Sequence, residues 1–80
     1  MTTEQIYSQL TEIFRDLFDD DSIVLKQETT AADIREWNSF NHINLIVAAE
    51  MKFKVKFNTA ELESLRNVGS LVDVIKAKLG

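Results

Sequence analysis

Ser39 and His42, three residues apart, are the first pair to test for chemistry, because an imidazole beside a hydroxyl can activate a nucleophile. The pair lacks the rest of such a device. No third residue is placed to orient the imidazole, nothing marks an oxyanion hole, and a chain of 80 residues has little room for a substrate cleft. An autonomous Ser-His hydrolase is set aside, and His42 reads as a solvated or partner-facing side chain. Ser39 has a second kind of chemistry open to it. Asn38-Ser39 runs directly into the apolar-rich stretch from Phe40 to Val47, which holds no Gly or Pro, so the pair reads as a helix start. A serine hydroxyl placed there lies beside free backbone N–H groups and the positive end of the helix dipole, surroundings that favour an attached phosphate group. The plainer reading of the same serine is a helix cap.

Other constellations carry less. Asp19-Asp20-Asp21 resembles the start of a calcium loop, but counted from Asp19 the fifth and sixth positions are Ile23 and Val24, where such a loop needs an oxygen ligand and a glycine. The absence of cysteine excludes disulfides and thiolate metal sites, and a single histidine excludes a multi-histidine centre. No metal site and no catalytic residues are expected. Glu61 with Glu63, like the aspartates, falls on stretches that read as solvated.

The elements that must position Ser39 follow from periodicity. From Thr3 to Phe18, Ile6, Leu10, Ile13, Phe14, Leu17 and Phe18 recur at helical spacing, leaving Glu4, Ser8, Glu12 and Arg15 for solvent. Thr2 or Thr3 can cap this helix, and the aspartates end it. Residues 22–36 form a long connection with Ile23, Leu25 and Ile34 as its candidate anchors and one short helical turn over 31–35. Trp37 either packs into the core or staples this loop to the second helix, with stacking on a ligand as the lesser alternative.

That helix, Ser39 to Phe53, puts Leu45, Ile46, Ala49 and Phe53 on one face and Phe40, Ile43 and Val47 on an adjoining one. The apolar arc is wider than one covered side requires, so the second stripe is expected at the surface as a docking face. Residues 52–57 alternate like a strand, but no partner strand is evident, and an extended link anchored by Val55 and Phe57 fits better. Asn58 to Glu61 opens a short helix to about Leu65. Arg66 to Gly69 then breaks the chain before a last helix capped near Ser70, with Leu71, Val72, Val74, Ile75 and Leu79 as its apolar face. The expected fold is all-α: one domain over residues 1–80, a bundle of three main helices and one short one.

A net charge of −4 argues against nucleic-acid binding, which needs clustered Lys and Arg. No segment reads as a signal peptide or a membrane span, so a cytoplasmic, monomeric protein with no membrane partner is expected.

Asn38-Ser39-Phe40, set in this four-helix frame, resembles the Asp-Ser-Leu triplet that opens the second helix of acyl carrier proteins. The similarity covers essentially the whole chain. Around the triplet, Asp33 to Trp37 and His42 to Ile46 resemble stand-alone carriers of polyketide or related specialised pathways more than the housekeeping fatty-acid carrier. The resemblance implies a non-catalytic carrier with 4′-phosphopantetheine attached covalently to Ser39 by a phosphopantetheinyl transferase. Acyl-loading and acyl-processing enzymes of fatty-acid or polyketide-type biosynthesis would then act on a thioester at the end of the arm. Asn38, Phe40, Ile43, Val47 and Glu50 would meet those partners. Two departures bear on partner choice. Asn38 replaces the family's aspartate, and helix positions commonly acidic in the family are here Asn41, Asn44, Met51 and Lys52, leaving Glu50. Recognition should depend less on charge attraction than on the apolar stripe. Two alternatives remain: an unmodified carrier-like interaction module, in which Ser39 is only a cap, and a carrier of aminoacyl or peptidyl groups.

Overall fold

Helix α1 (Thr3–Phe18) begins where Thr2 accepts a hydrogen bond from the Gln5 N–H while the Gln5 side chain accepts from the Thr2 N–H, a closed capping box. It ends at Asp19, whose left-handed backbone (φ 51°) lets its N–H bond back to the Arg15 carbonyl. These bounds are those in the computed structural model, which describes residues 1–79 apart from the Ser39 side chain. Helices α2 (Ser39–Phe53), α3 (Thr59–Ser64) and α4 (Val68–Leu79) follow, and α1 packs against both α2 and α4. This is the all-α bundle of three main helices and one short one that periodicity implied.

The core follows from the same pattern. Ile6, Leu10 and Phe14 of α1, Leu45 and Ala49 of α2, and Val68, Leu71 and Ile75 of α4 are withdrawn from water. Phe14 stands at the centre, with its ring edge-to-face against Phe18 (5.5 Å) and Trp37 (5.1 Å). Ile13 and Leu17 are only partly buried at its margin. Leu79, expected on the apolar face of α4, is exposed, because the last turn of the helix runs past the core. Arg15 is not left to solvent either: its Nε donates to the Ile23 carbonyl at 2.9 Å and ties the following loop to α1.

The long loop over residues 19–38 is held by the anchors expected of it, Ile23 and Ile34 being buried and Leu25 partly so. In place of a helical turn over 31–35 there are two separate hydrogen-bonded turns, Asp33 N–H to the Thr30 carbonyl and Trp37 N–H to the Ile34 carbonyl. Asp33 also accepts from the Thr30 N–H, half of a capping box that no continuing helix follows. Residues 55–57 form an extended link after Lys54 ends α2 in a left-handed conformation; Val55 and Phe57 pack against the core, and no strand forms among the described residues.

Helix α4 starts three residues before the position periodicity indicated. Asn67 supplies the cap, its Oδ1 accepting from the Ser70 N–H at 2.8 Å, so Val68 and Gly69 belong to the helix. Gly69 is therefore not a breaker. The Val68 and Gly69 N–H groups, free at the start of the helix, donate to the Thr29 (2.8 Å) and Gln27 (2.9 Å) carbonyls. A Cβ at Gly69 would lie 2.8 Å from the Gln27 carbonyl oxygen and 2.6 Å from its Cγ. Gly69→Ala gains helix propensity but forces the loop off α4, so a net destabilisation of about 1–2 kcal/mol is expected as a lowered urea midpoint. A midpoint at or above wild type would show that the loop contact contributes little.

Candidate functional site

The start of α2 is built by three residues that precede it. Asn38 caps the helix, its Oδ1 accepting from the Asn41 N–H at 2.9 Å, while Asn41 Nδ2 donates back to the Glu36 carbonyl at 2.7 Å. Trp37, buried against Phe14, fixes where the loop enters. Backbone pairing inside the helix begins at His42, whose N–H donates to the Asn38 carbonyl. The N–H groups ahead of it have no intrahelical acceptor, and Asn38 takes one of them. Ser39 is the first residue of the helix. Its side chain lies outside the described residues, so the assignment of a site to its hydroxyl rests on position and chemistry.

That position fits a phosphodiester. No acidic residue occupies the first turn of α2, so an anion would meet the dipole and the free N–H groups without like-charge repulsion. The Asn38 that departs from the family triplet caps as an aspartate would, without adding a negative charge beside residue 39.

Of the solvated and partner-facing readings its sequence context implied, His42 does not fit the freely solvated one. It is half-buried, its ring lies near-parallel to the Trp37 indole at 6.0 Å between centroids, and its Nδ1 accepts from Trp37 Nε1–H at 3.0 Å. Indole nitrogen can only donate, so Nδ1 must be unprotonated and the imidazole neutral, with its proton on Nε2. Burial accordingly lowers the His42 pKa from its ordinary value of 6.5. Trp37 thus both packs into the core and staples the loop to α2, two of the roles its sequence position offered. The signal for the Trp37–His42 pair is the spacing of five residues across a helix start, but nothing in the sequence marks a hydrogen bond between them.

A pH dependence follows. The unfolded chain takes up the His42 proton near pH 6.5, whereas the folded chain resists it, so the unfolded state binds more protons below that point. Stability should fall as pH drops from about 6.5 toward the lowered folded value. Asp20, held low mainly by its hydrogen bonds from Ser22, and Glu61, held low mainly by Lys78, lose their contributions only in the more acidic carboxylate range. Urea midpoints at pH 7 and pH 5 should therefore separate in wild type and converge in His42→Gln, which keeps an acceptor but cannot titrate. Equal separation in both would assign the effect elsewhere.

Along α2, Phe40 (79 % exposed), Ile43 (67 %) and Val47 (47 %) form the surface stripe that periodicity implied, and Met51 (76 %) extends it. Leu45, Ile46, Ala49 and Phe53 face the core as expected. Glu50 sits at the edge of the stripe, with Oε2 accepting from the Phe57 N–H at 2.9 Å, so part of its charge is spent holding the link after α2. Beside the helix start, a cleft of about 350 Å³ opens between the loop end, α2 and the start of α4, with Trp37, Leu65 and Leu71 among its walls and Asn38, His42, Arg66 and Asn67 supplying the polar groups. A larger polar hollow of about 710 Å³ is lined by loop residues between Asp20 and Glu36. Among the described residues, no three His, Cys, Asp or Glu side chains come together as a metal site, and no helix is long and apolar enough to cross a membrane.

The chain is similar to curated proteins of known family. It is 30 % identical over 77 residues to an acyl carrier protein of Thermotoga maritima, covering 96 % of this chain and 95 % of that one. An acyl carrier protein of Acidothermus cellulolyticus is 29 % identical over 75 residues, 94 % of this chain and 89 % of the other. Among solved structures, the holo acyl carrier protein of Geobacter metallireducens shares 53 % identity and superposes with a TM-score of 0.87, covering 92 % of this chain and 85 % of that chain. No protein-family model matches.

Proposed function

The chain belongs to the acyl carrier protein family, and from that premise we propose that it carries acyl groups as thioesters on a 4′-phosphopantetheine arm attached to Ser39. The observation that carries the proposal is the start of α2: Ser39 is its first residue, behind an Asn38 cap and ahead of a first turn without acidic residues. In the loading step a phosphopantetheinyl transferase would join the Ser39 oxygen to the phosphorus of coenzyme A that bears the pantetheine. The phosphoanhydride bond breaks, adenosine 3′,5′-bisphosphate leaves and the hydroxyl proton is lost. When bound, the arm supplies a thiol for thioester exchange. The chain's own part is to hold the ester at a dipole that favours it and to present it beside a face that enzymes can grip. Because Asn38 caps without charge, the developing phosphodiester meets one negative group fewer than in carriers with aspartate there.

That face is the α2 stripe of Phe40, Ile43 and Val47, with Asn38 and Glu50 at its edges. Helix α2 offers the partner apolar area and few free carboxylates, so complementary apolar surface rather than a basic patch is the partner's expected feature. The acyl-loading and acyl-processing enzymes would belong to fatty-acid or polyketide-type synthesis, with the carrier acting as a cytoplasmic monomer. The deciding experiment is the intact mass of the chain after incubation with coenzyme A and a broad-specificity transferase. Gain of one phosphopantetheine is expected. An unchanged mass, under conditions that convert a control carrier, would favour an unmodified interaction module. Cargo recovered from cells as an aminoacyl thioester would move the chain to the peptidyl-carrier class.

A further inference from the structure

The polar side chains around the cleft beside Asn38 share a property that neither the family nor the stripe explains. The three that carry an acceptor atom each use it inside the protein. Asn38 Oδ1 is taken by the Asn41 N–H, Asn67 Oδ1 by the Ser70 N–H and hydroxyl, and His42 Nδ1 by the Trp37 indole. All three assignments are fixed, because backbone and indole N–H groups can only donate. What remains on offer is mostly donors: the Asn38 and Asn67 amide NH₂ groups, His42 Nε2–H and the guanidinium of Arg66, against one lone pair left on Asn38 Oδ1. Among the described residues Arg66 has no carboxylate partner, and no Asp or Glu lines the cleft. Trp37, Leu65 and Leu71 supply apolar wall between these donors. A cleft with this lining disfavours a hydroxyl or amine that must itself donate, and gives an all-methylene chain no use for four donors. It suits a short apolar body ending in an acceptor-only anion.

We propose that this cleft receives the carboxylate end of a short cargo carried on Ser39, with Arg66 and His42 as the residues that select it. The proposal rests on the carrier reading, since Asn38, adjacent to Ser39 in the chain, places the cleft within reach of an arm attached there. Arg66 contributes charge and a forked donor, and His42 contributes a donor whose direction is set by Trp37.

The test uses two thioesters of nearly equal length, S-succinylpantetheine and S-butyrylpantetheine, one ending in a carboxylate and the other in a methyl group. Each is titrated into the unmodified chain, and the side-chain N–H signals of Asn38, Asn67, Arg66 and Trp37 are followed by NMR. The succinyl compound should bind about tenfold more tightly and move these signals, and Arg66→Gln should remove the difference while leaving the urea midpoint unchanged. Equal binding of the two, no binding of either at millimolar concentration, or a preference that survives in Arg66→Gln would overturn the proposal. The chain loaded on Ser39 gives the second arm. Succinyl cargo should move the same signals, butyryl cargo and the bare arm should not, and full movement with the bare arm would assign the donors to the arm's phosphodiester instead. A chain that gains no mass overturns the carrier reading alone, and the free titration still decides the cleft.

Discussion

Ser39→Ala should abolish phosphopantetheine transfer altogether while leaving the fold intact, the largest functional effect any single substitution in this chain is expected to have. Two structural facts separate the modification from stability here. Helix α2 is capped by Asn38 and not by Ser39, and the Asn38 side chain bonds to Asn41, so no capping contact of Asn38 involves the altered side chain. Alanine also has the highest propensity for a helix interior, so the substitution should cost at most a few tenths of a kcal/mol. The measurement pairs intact mass after treatment with transferase and coenzyme A against a urea unfolding curve for the same variant. Wild type should gain the arm and the variant should gain none, at near-equal midpoints. Residual mass gain in Ser39→Ala would place the attachment on another side chain. Loss of the fold in the variant would make residue 39 a structural cap after all, and Asn38→Ala would then be the milder change. The cap geometry points to the reverse, because removing the Asn38 cap costs about 1 kcal/mol.

The features legible in the amino-acid sequence are those that depend on period and caps. The bounds of α1 and α2, the Asn58 cap of α3, the division of α2 into a core face and a surface stripe, and the loop anchors Ile23 and Ile34 all follow from apolar spacing and short polar residues at helix starts. The features that are not legible depend on contacts between stretches distant in sequence. Gly69 reads as a breaker, because the pattern cannot show that Gln27 and Thr29 will lie against the start of α4 and need a residue without a side chain there. Arg15 reads as solvated because its acceptor, the Ile23 carbonyl, lies eight residues away across a helix end. Thr29, a polar residue in a polar stretch, is buried for the same reason: its carbonyl receives the Val68 N–H. His42 is the instructive case for the site. A lone histidine near a serine invites a catalytic reading or a solvated or partner-facing one, yet the imidazole serves as an acceptor for Trp37, and that fact turns its remaining N–H toward use as a donor. The serine's position is readable from local chemistry; the character of the space beside it is not.

Phe14→Ala should leave the chain largely unfolded at room temperature, the largest stability effect expected of any substitution. Phe14 has no exposed surface, and its ring is the common partner of Phe18 and Trp37 in two edge-to-face contacts. Truncating a buried phenylalanine costs about 3–5 kcal/mol from lost transfer energy and the cavity left behind. A core in a domain this small supplies about 3–5 kcal/mol in total, so the two magnitudes meet and little net stability survives. The loss would also reach the functional site by a traceable route. Trp37 packs on Phe14 on one side and donates to His42 on the other, so loosening the ring contact releases the loop end that sets Asn38 at the start of α2. Phe14→Leu, which keeps most of the volume, should cost less and retain the helical circular dichroism signal, and a raised solvent response of Trp37 fluorescence would report the loosened contact. Full helical signal and an unshifted urea midpoint in Phe14→Ala would mean that the aromatic cluster does not carry the core. The mass-gain assay then separates packing from chemistry: Phe14→Leu should still accept the arm, because Ser39 and Asn38 are unchanged, whereas a folded variant that is not modified would show that the transferase depends on how firmly Trp37 holds the loop.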